Sequence, residues 1–79
     1  MVLINCGVTK MVEFLVITDI NTYDEDIGYC GINEIEAYKQ YKKFKTRHKR
    51  VNIVRAEVEK IVIRNIEFIS DYKIIETIK

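Results

Sequence analysis

The clearest pattern of hydrophobic and polar positions lies in residues 12–20, where the sequence VEFLVITDI predicts a β-strand. One face of this strand carries Val12, Phe14, Val16 and Ile20, and the other carries Leu15 and Ile17. Apolar side chains on both faces predict a strand that is covered on both sides, either within the chain or by a second copy of it.

Shorter apolar segments predict further strands in the N-terminal part. Residues 2–6 are predicted as a first strand, and a turn over residues 7–10 would join it to residues 12–20 in a hairpin. A polar, acidic loop follows at residues 21–26. Residues 27–30 then predict either a brief strand or an approach to a helix.

The C-terminal part alternates again. Residues 51–59 place Val54, Ala56 and Val58 on one face and polar side chains on the other. Residues 61–69 fit a helical stripe as well as a strand, but their β-branched content favours a strand with a turn or bulge at residues 64–65. A turn at residues 70–72 and a last strand over residues 73–78 complete the prediction.

One helix is predicted after Asn33, which is a good N-cap with Glu36 three residues later as in a capping box. Its inner stripe would carry Ala37, Tyr38, Tyr41, Phe44 and His48, and its outer face Lys39, Lys42, Lys43, Thr46 and Lys49. Acidic residues in the first turn and Lys45, Arg47 and Lys49 in the last turn would complement the helix dipole.

These elements predict an α+β fold in the order β-β-α-β-β, with a single helix packed on one face of a small, mostly antiparallel sheet. The 79 residues form one domain, in which residues 1–10 would be a dispensable N-terminal strand. One helix cannot cover both faces of such a sheet. We therefore expect a homodimer with Leu15 and Ile17 in its interface.

Charge changes this picture because it is divided into two blocks. Residues 11–38 contain seven acidic and no basic residues, whereas residues 39–55 contain eight basic and no acidic ones, so the net charge of +1 conceals two poles. The basic candidates for binding nucleic acid or a protein partner are Lys39, Lys42, Lys43, Lys45, Arg47, Lys49 and Arg50. The acidic candidates for a protein-partner surface are Asp19, Asp24, Glu25 and Asp26.

Residues with catalytic or metal-binding chemistry are few. His48 is the only histidine, and it lies among basic residues without a nucleophile beside it in the sequence. Cys6 and Cys30 are too few for a zinc site and are interpreted as two reduced thiols or as a disulfide. The acidic loop lacks the spacing of an EF-hand. We therefore predict no enzyme activity, no cofactor and no metal.

The predicted function is that of a small interaction protein, an adaptor or inhibitor that acts through protein contacts. The alternative is a nucleic-acid-binding protein that uses residues 39–50, because a lysine-rich face suits phosphates better than base edges. The absence of a secretory signal and of a long apolar run predicts a cytoplasmic protein without membrane contact. The composition, rich in Ile, Lys and Tyr, resembles that of small accessory proteins of viruses and plasmids.

Overall fold

The computed structural model describes residues 6–79. Its elements, in chain order, are β1 Cys6–Thr18, β2 Asp26–Gly31, α1 Glu34–Lys45, β3 Val51–Ile63 and β4 Ile66–Thr77. The strands form one sheet in the order β2-β1-β3-β4, and every neighbouring pair is antiparallel. The predicted α+β class and the order β-β-α-β-β are confirmed.

The first strand is longer than predicted. Residues 7–10, predicted as a turn, continue β1 and pair with β3 from Lys10–Glu59 to Gly7–Val62. The glycine that suggested a turn has no positive φ, and β3 supplies a partner along the whole length of β1. The predicted strand at residues 2–6 lies outside the described residues except for Cys6, which begins β1 rather than a separate strand.

β3 and β4 form a hairpin with a two-residue turn. Arg64 and Asn65 have φ of 52° and 65°, as a type I′ turn requires, and this turn matches the twist of the flanking strands. Residues 61–69 are therefore strand and turn. The turn predicted at residues 70–72 is wrong, because Ser70 is instead the extra residue of a β-bulge. Its hydroxyl donates a hydrogen bond to the Glu59 carbonyl at 3.2 Å.

The helix begins as predicted and ends earlier. The Asn33 side chain accepts a hydrogen bond from the Glu36 backbone N–H at 3.0 Å, which confirms the N-cap. The helix ends at Lys45, where the hydroxyl of the C-cap Thr46 donates to the Lys43 carbonyl at 2.7 Å. The last three predicted basic residues of the helix therefore lie in the connection to β3. These residues are Arg47, Lys49 and Arg50.

Both faces of the sheet bury apolar side chains. On the helix side, Val16, Val51 and Ile53 pack with Ala37. The aromatic residues of the predicted inner stripe that lie in α1 close this cluster, whereas His48 lies beyond the end of α1 and outside it. The opposite side buries a second cluster, which Ile20, Ile27, Cys30, Ile69 and Tyr72 cover in part. Its fully buried members are Leu15, Ile17, Val54, Ala56 and Val58.

The second cluster corrects the predicted dimer interface. Leu15 and Ile17 have no exposed surface, so they offer nothing to a partner. The loop after β1 lies over this side of the sheet, where the Tyr72 hydroxyl donates a hydrogen bond to Glu25 Oε2 at 2.9 Å. The loop, together with side chains of β4, thus covers part of the face that a single helix cannot reach.

Three strands extend past the helix as an arm. β2 pairs with β1 only from Phe14 to Thr18, so residues 6–13 of β1 have β3 as their only strand neighbour among the described residues. We call residues 6–13, 56–63 and 66–74 the arm. It accounts for the elongated shape of the molecule, whose principal extents are 49 × 24 × 19 Å.

Candidate contact surfaces: a basic helix and an apolar arm

The basic block forms one exposed surface on and after α1. All seven predicted residues are exposed, and we call them the basic surface: Lys39, Lys42, Lys43, Lys45, Arg47, Lys49 and Arg50. Within residues 6–79, none of the seven has a carboxylate oxygen within 4.0 Å. By contrast, Lys10, Arg55 and Lys60 of the sheet each pair with a glutamate. The positive charge of the basic surface is therefore not neutralised by the chain.

The residues beyond the helix stay beside it because the chain folds back. The backbone N–H groups of Arg47 and His48 both donate to the Phe44 carbonyl, at 3.0 and 2.9 Å. The Lys45 ammonium donates to the Lys49 carbonyl at 3.4 Å. The shorter helix therefore does not separate the members of the basic surface.

Lys79 joins this surface, although nothing in the sequence pattern indicated it. The Lys79 carbonyl accepts a hydrogen bond from the Ile53 N–H at 3.0 Å, which fixes the end of the chain beside β3. Its ammonium lies 5.8 Å from the centroid of the Tyr41 ring, and the Lys45 ammonium lies 5.8 Å from the same centroid. Tyr41 thus positions two cations that are distant in sequence.

The acidic loop is largely occupied by contacts within the chain. Asp19 lies 3.4 Å from His48 Nδ1. Glu25 accepts hydrogen bonds from the Asn21 backbone N–H and from Tyr72, and the Asp26 carboxylate accepts one from the Ile27 N–H. Among the four predicted residues of this surface, only the Asp24 carboxylate has no such contact with the described residues. These contacts hold the loop, while Asp24, Glu25 and Asp26 remain exposed to solvent.

Tyr72 shows how closely the loop is packed. Burial raises the pKa of Tyr72 to about 12, and the hydrogen bond to the Glu25 carboxylate acts in the same direction. The phenol is consequently a neutral hydrogen-bond donor at physiological pH.

The most buried charge is Glu13, on the side of the sheet opposite the helix. Glu13 is 4% exposed, and its Oε1 accepts hydrogen bonds from Lys60 Nζ at 3.1 Å and Cys30 Sγ at 3.6 Å. Burial would by itself lower the pKa of Lys60, but the bond to Glu13 raises it above its usual value. Burial and the Glu13 carboxylate raise the pKa of Cys30 to about 11. Such a thiol is protonated at neutral pH and is a poor nucleophile.

The two cysteines are far apart in the fold. Cys30 pairs with Leu15, whereas Cys6 lies at the other end of β1, nine residues away. At about 3.3 Å per residue this separation is roughly 30 Å, beyond the reach of a disulfide within one chain. No group of three or more His, Cys, Asp or Glu side chains is placed to hold a metal ion in the part of the chain that the structure describes.

The arm carries a second contact surface at its tip. The register places Val8 opposite Ile61, Ile61 opposite Phe68, and Ile63 opposite Ile66, all on the helix side of the sheet. We call these five side chains the tip patch. Val8 is 61% and Phe68 52% exposed, so the patch is open to solvent.

The outer edge of β1 in the arm is also open. Residues 7–12 are all exposed and, among the described residues, no strand pairs with them on that side. We call this segment the free edge. No helix in residues 6–79 has the length and apolar character needed to cross a membrane.

Comparison with known proteins does not assign a family. A scan against protein-family models finds no match. Searches of curated proteins and of solved structures also find no significant similarity. The functional interpretation of the basic surface and the tip patch therefore depends on the geometry of this chain.

Proposed function

We propose that the protein is a non-enzymatic binding protein whose basic surface contacts the phosphate backbone of nucleic acid. The observation that carries this proposal is that seven exposed cations stand together without a carboxylate partner among the described residues. An exposed cluster of one charge sign attracts the opposite charge from solution, and nucleic acid presents phosphates at high linear density.

The side chains of α1 favour backbone contact over base recognition. The outer face of α1 is lysine-rich, and lysine binds phosphate as a point charge without distinguishing base edges. Tyr38, Tyr41 and Phe44 are partly buried against the sheet, so only part of each ring is open for stacking on bases. The proposed contact is therefore sequence-independent, and its affinity comes from counterion release.

Fluorescence anisotropy with a labelled duplex of arbitrary sequence, at a series of salt concentrations, tests this proposal. If about four phosphates are neutralised, log affinity should fall with log salt at a slope of about −3.6. Lys42→Ala and Lys43→Ala should each weaken binding and reduce the slope by about 0.9. Lys73→Ala is the matched control, since Lys73 is also exposed but lies on β4 in the arm.

Two results would contradict the proposal. The first is a dissociation constant above about 10⁻⁴ M at physiological salt, which is the weak limit of non-specific binding. The second is a Lys42→Ala slope equal to that of Lys73→Ala, because the affinity would then not come from the basic surface.

The second candidate is an adaptor or inhibitor that acts through protein contacts. The tip patch favours this function, because clustered apolar side chains at the end of an arm are typical of interaction sites. If the duplex does not bind, the basic surface is a solvated helix face and protein contact becomes the first candidate.

A further inference from the structure

We propose that two copies of the chain pair antiparallel through the free edge of β1, about a two-fold axis at Thr9. This arrangement joins the three strands of each arm into one continuous sheet. It goes beyond the nucleic-acid proposal and does not depend on it, because a measurement of mass tests it without nucleic acid.

The two edges of the arm differ in how well they are protected. β4 has bulges at Ser70 and Ile75 and carries Glu67, Asp71, Lys73 and Glu76 along its length. Bulges and charged side chains are the features that prevent an edge strand from pairing with another chain. The free edge has no bulge in its pairing with β3, no proline and only one charge, at Lys10. The unprotected edge is therefore that of β1.

Two-fold symmetry restricts the register. In an antiparallel pair of identical strands with continuous faces, one residue lies on the axis opposite itself. An axis at Lys10 would oppose two ammonium groups, which is destabilising. An axis at Met11 would place Val8 opposite Phe14 of the second copy. The outer side of Phe14 already pairs with Gly31 of β2, so a further strand cannot pair there. An axis at Thr9 avoids both conflicts.

The Thr9 register is also complementary in its side chains. It places Val8 opposite Lys10 of the second copy, so each ammonium faces an apolar neighbour and keeps its ion pair with Glu59 of its own chain at 3.8 Å. It places Val12 opposite Cys6, next to the tip patch of the second copy. Threonine pairs across antiparallel strands are themselves favourable.

The size of this interface indicates a weak dimer. Residues 6–12 would pair in each copy and form about seven backbone hydrogen bonds. At one hydrogen bond per 100–200 Å², the interface would bury roughly 700–1,400 Å² in total. This range reaches the lower limit for a specific interface, and we expect dissociation in the micromolar range.

Disulfide trapping tests the register. In a Cys6→Ser background, Thr9→Cys should form a covalent dimer of twice 9.4 kDa on mild oxidation, because residues opposite each other have Cα atoms about 5 Å apart. Val8→Cys and Lys10→Cys should not cross-link alone but should cross-link when mixed. Cys30 can be retained, since its protonated thiol reacts slowly.

Sedimentation over about 1–100 µM tests the dimer without cross-linking. Thr9→Lys opposes two ammonium groups on the axis, each also opposite Lys60 of its own chain, and should weaken association about fivefold, whereas the neutral, β-branched Thr9→Val should leave it nearly unchanged. A wild-type monomer at about 100 µM would overturn the proposal. So would self-cross-linking of Lys10→Cys that equals or exceeds that of Thr9→Cys, because it would place the axis elsewhere.

Discussion

Gly28→Ala should destabilise the protein through a single steric conflict. Gly28 is the extra residue of the bulge in β2, between Tyr29 opposite Val16 and Ile27 opposite Ile17. A Cβ at this position would lie 2.6 Å from Cζ of Phe44 and closer still to Cε2. Because the φ of Gly28 is not positive, the backbone itself accepts alanine, and only the Phe44 ring must move.

The expected cost follows from this overlap. Displacing a ring that packs against the helix-side core costs about 1–3 kcal/mol, as overpacking usually does. For a domain of this size, a loss of about 2 kcal/mol lowers Tm by roughly 8–16 °C. Urea denaturation and thermal melting, both followed by circular dichroism, measure the change.

Two further variants isolate the cause. Gly7→Ala is the control, since no heavy atom lies within 4 Å of its added Cβ, and its effect should stay within about 0.5 kcal/mol. Phe44→Leu removes Cζ and Cε2, so in combination with Gly28→Ala it should cost at least about 0.5 kcal/mol less than the sum of the two single changes. The explanation fails if Gly28→Ala is as mild as Gly7→Ala, or if the double variant is additive.

Three other variants test separate parts of the fold. Asn33→Ala removes the N-cap acceptor and should lower the free energy of unfolding by about 1 kcal/mol in urea denaturation. Leu15→Glu buries an unpaired charge and should abolish the cooperative unfolding transition. A variant that folds normally and only fails to dimerise would contradict the burial of Leu15. The pKa of Tyr72, at about 12, exceeds the value of about 10 for an unfolded tyrosine, so its contribution to stability is present below pH 10 and is lost as pH rises towards 12. Tyr72→Phe should therefore reduce the alkaline loss of stability measured by urea denaturation between about pH 8 and 12, and an unchanged loss would show that Tyr72 is not its cause.

Local patterns in the sequence were enough to predict the fold class, the order of the elements and the start of the helix, but not every strand boundary. The cap at Asn33 and the inner stripe of α1 follow from interactions within three or four residues, and the structure confirms both. The alternation of Val54, Ala56 and Val58 likewise reports one buried face of β3. Such signals are reliable because each depends on neighbours in the chain rather than on distant partners.

The errors arose where a distant partner decides the structure. Residues 7–10 have turn-like composition but extend because β3 lies beside them, and Ser70 forms a bulge where the sequence alone suggested a turn. The apolar character of both faces of β1 was predicted correctly. The residues that cover Leu15 were not predicted, because their arrangement includes a hydrogen bond between Glu25 and Tyr72, which are 47 residues apart.

The basic surface was largely predictable from the sequence, but the position of Lys79 and the contacts of the acidic loop were not. Charge count and helical phase identified Lys39, Lys42 and Lys43, and all three are exposed. The position of Lys79 depends on a backbone hydrogen bond to Ile53, for which no sequence pattern exists. The contacts that occupy the acidic loop depend in the same way on the folded chain.

The two-residue turn at Arg64 and Asn65 has a consequence for the order of folding. It makes β3–β4 a local hairpin, of a kind that forms within about 1–10 µs. The shortest connection between paired residues of β1 and β3 runs from Thr18 to Val51 and encloses β2 and the helix, so this pairing must overcome a much larger loss of chain entropy. We therefore expect a refolding chain to pass through a stage in which the hairpin has formed and the inner edge of β3 is not yet paired with β1. At that stage β1 of another molecule can occupy the edge, and exchange of this strand between chains should increase with protein concentration during refolding.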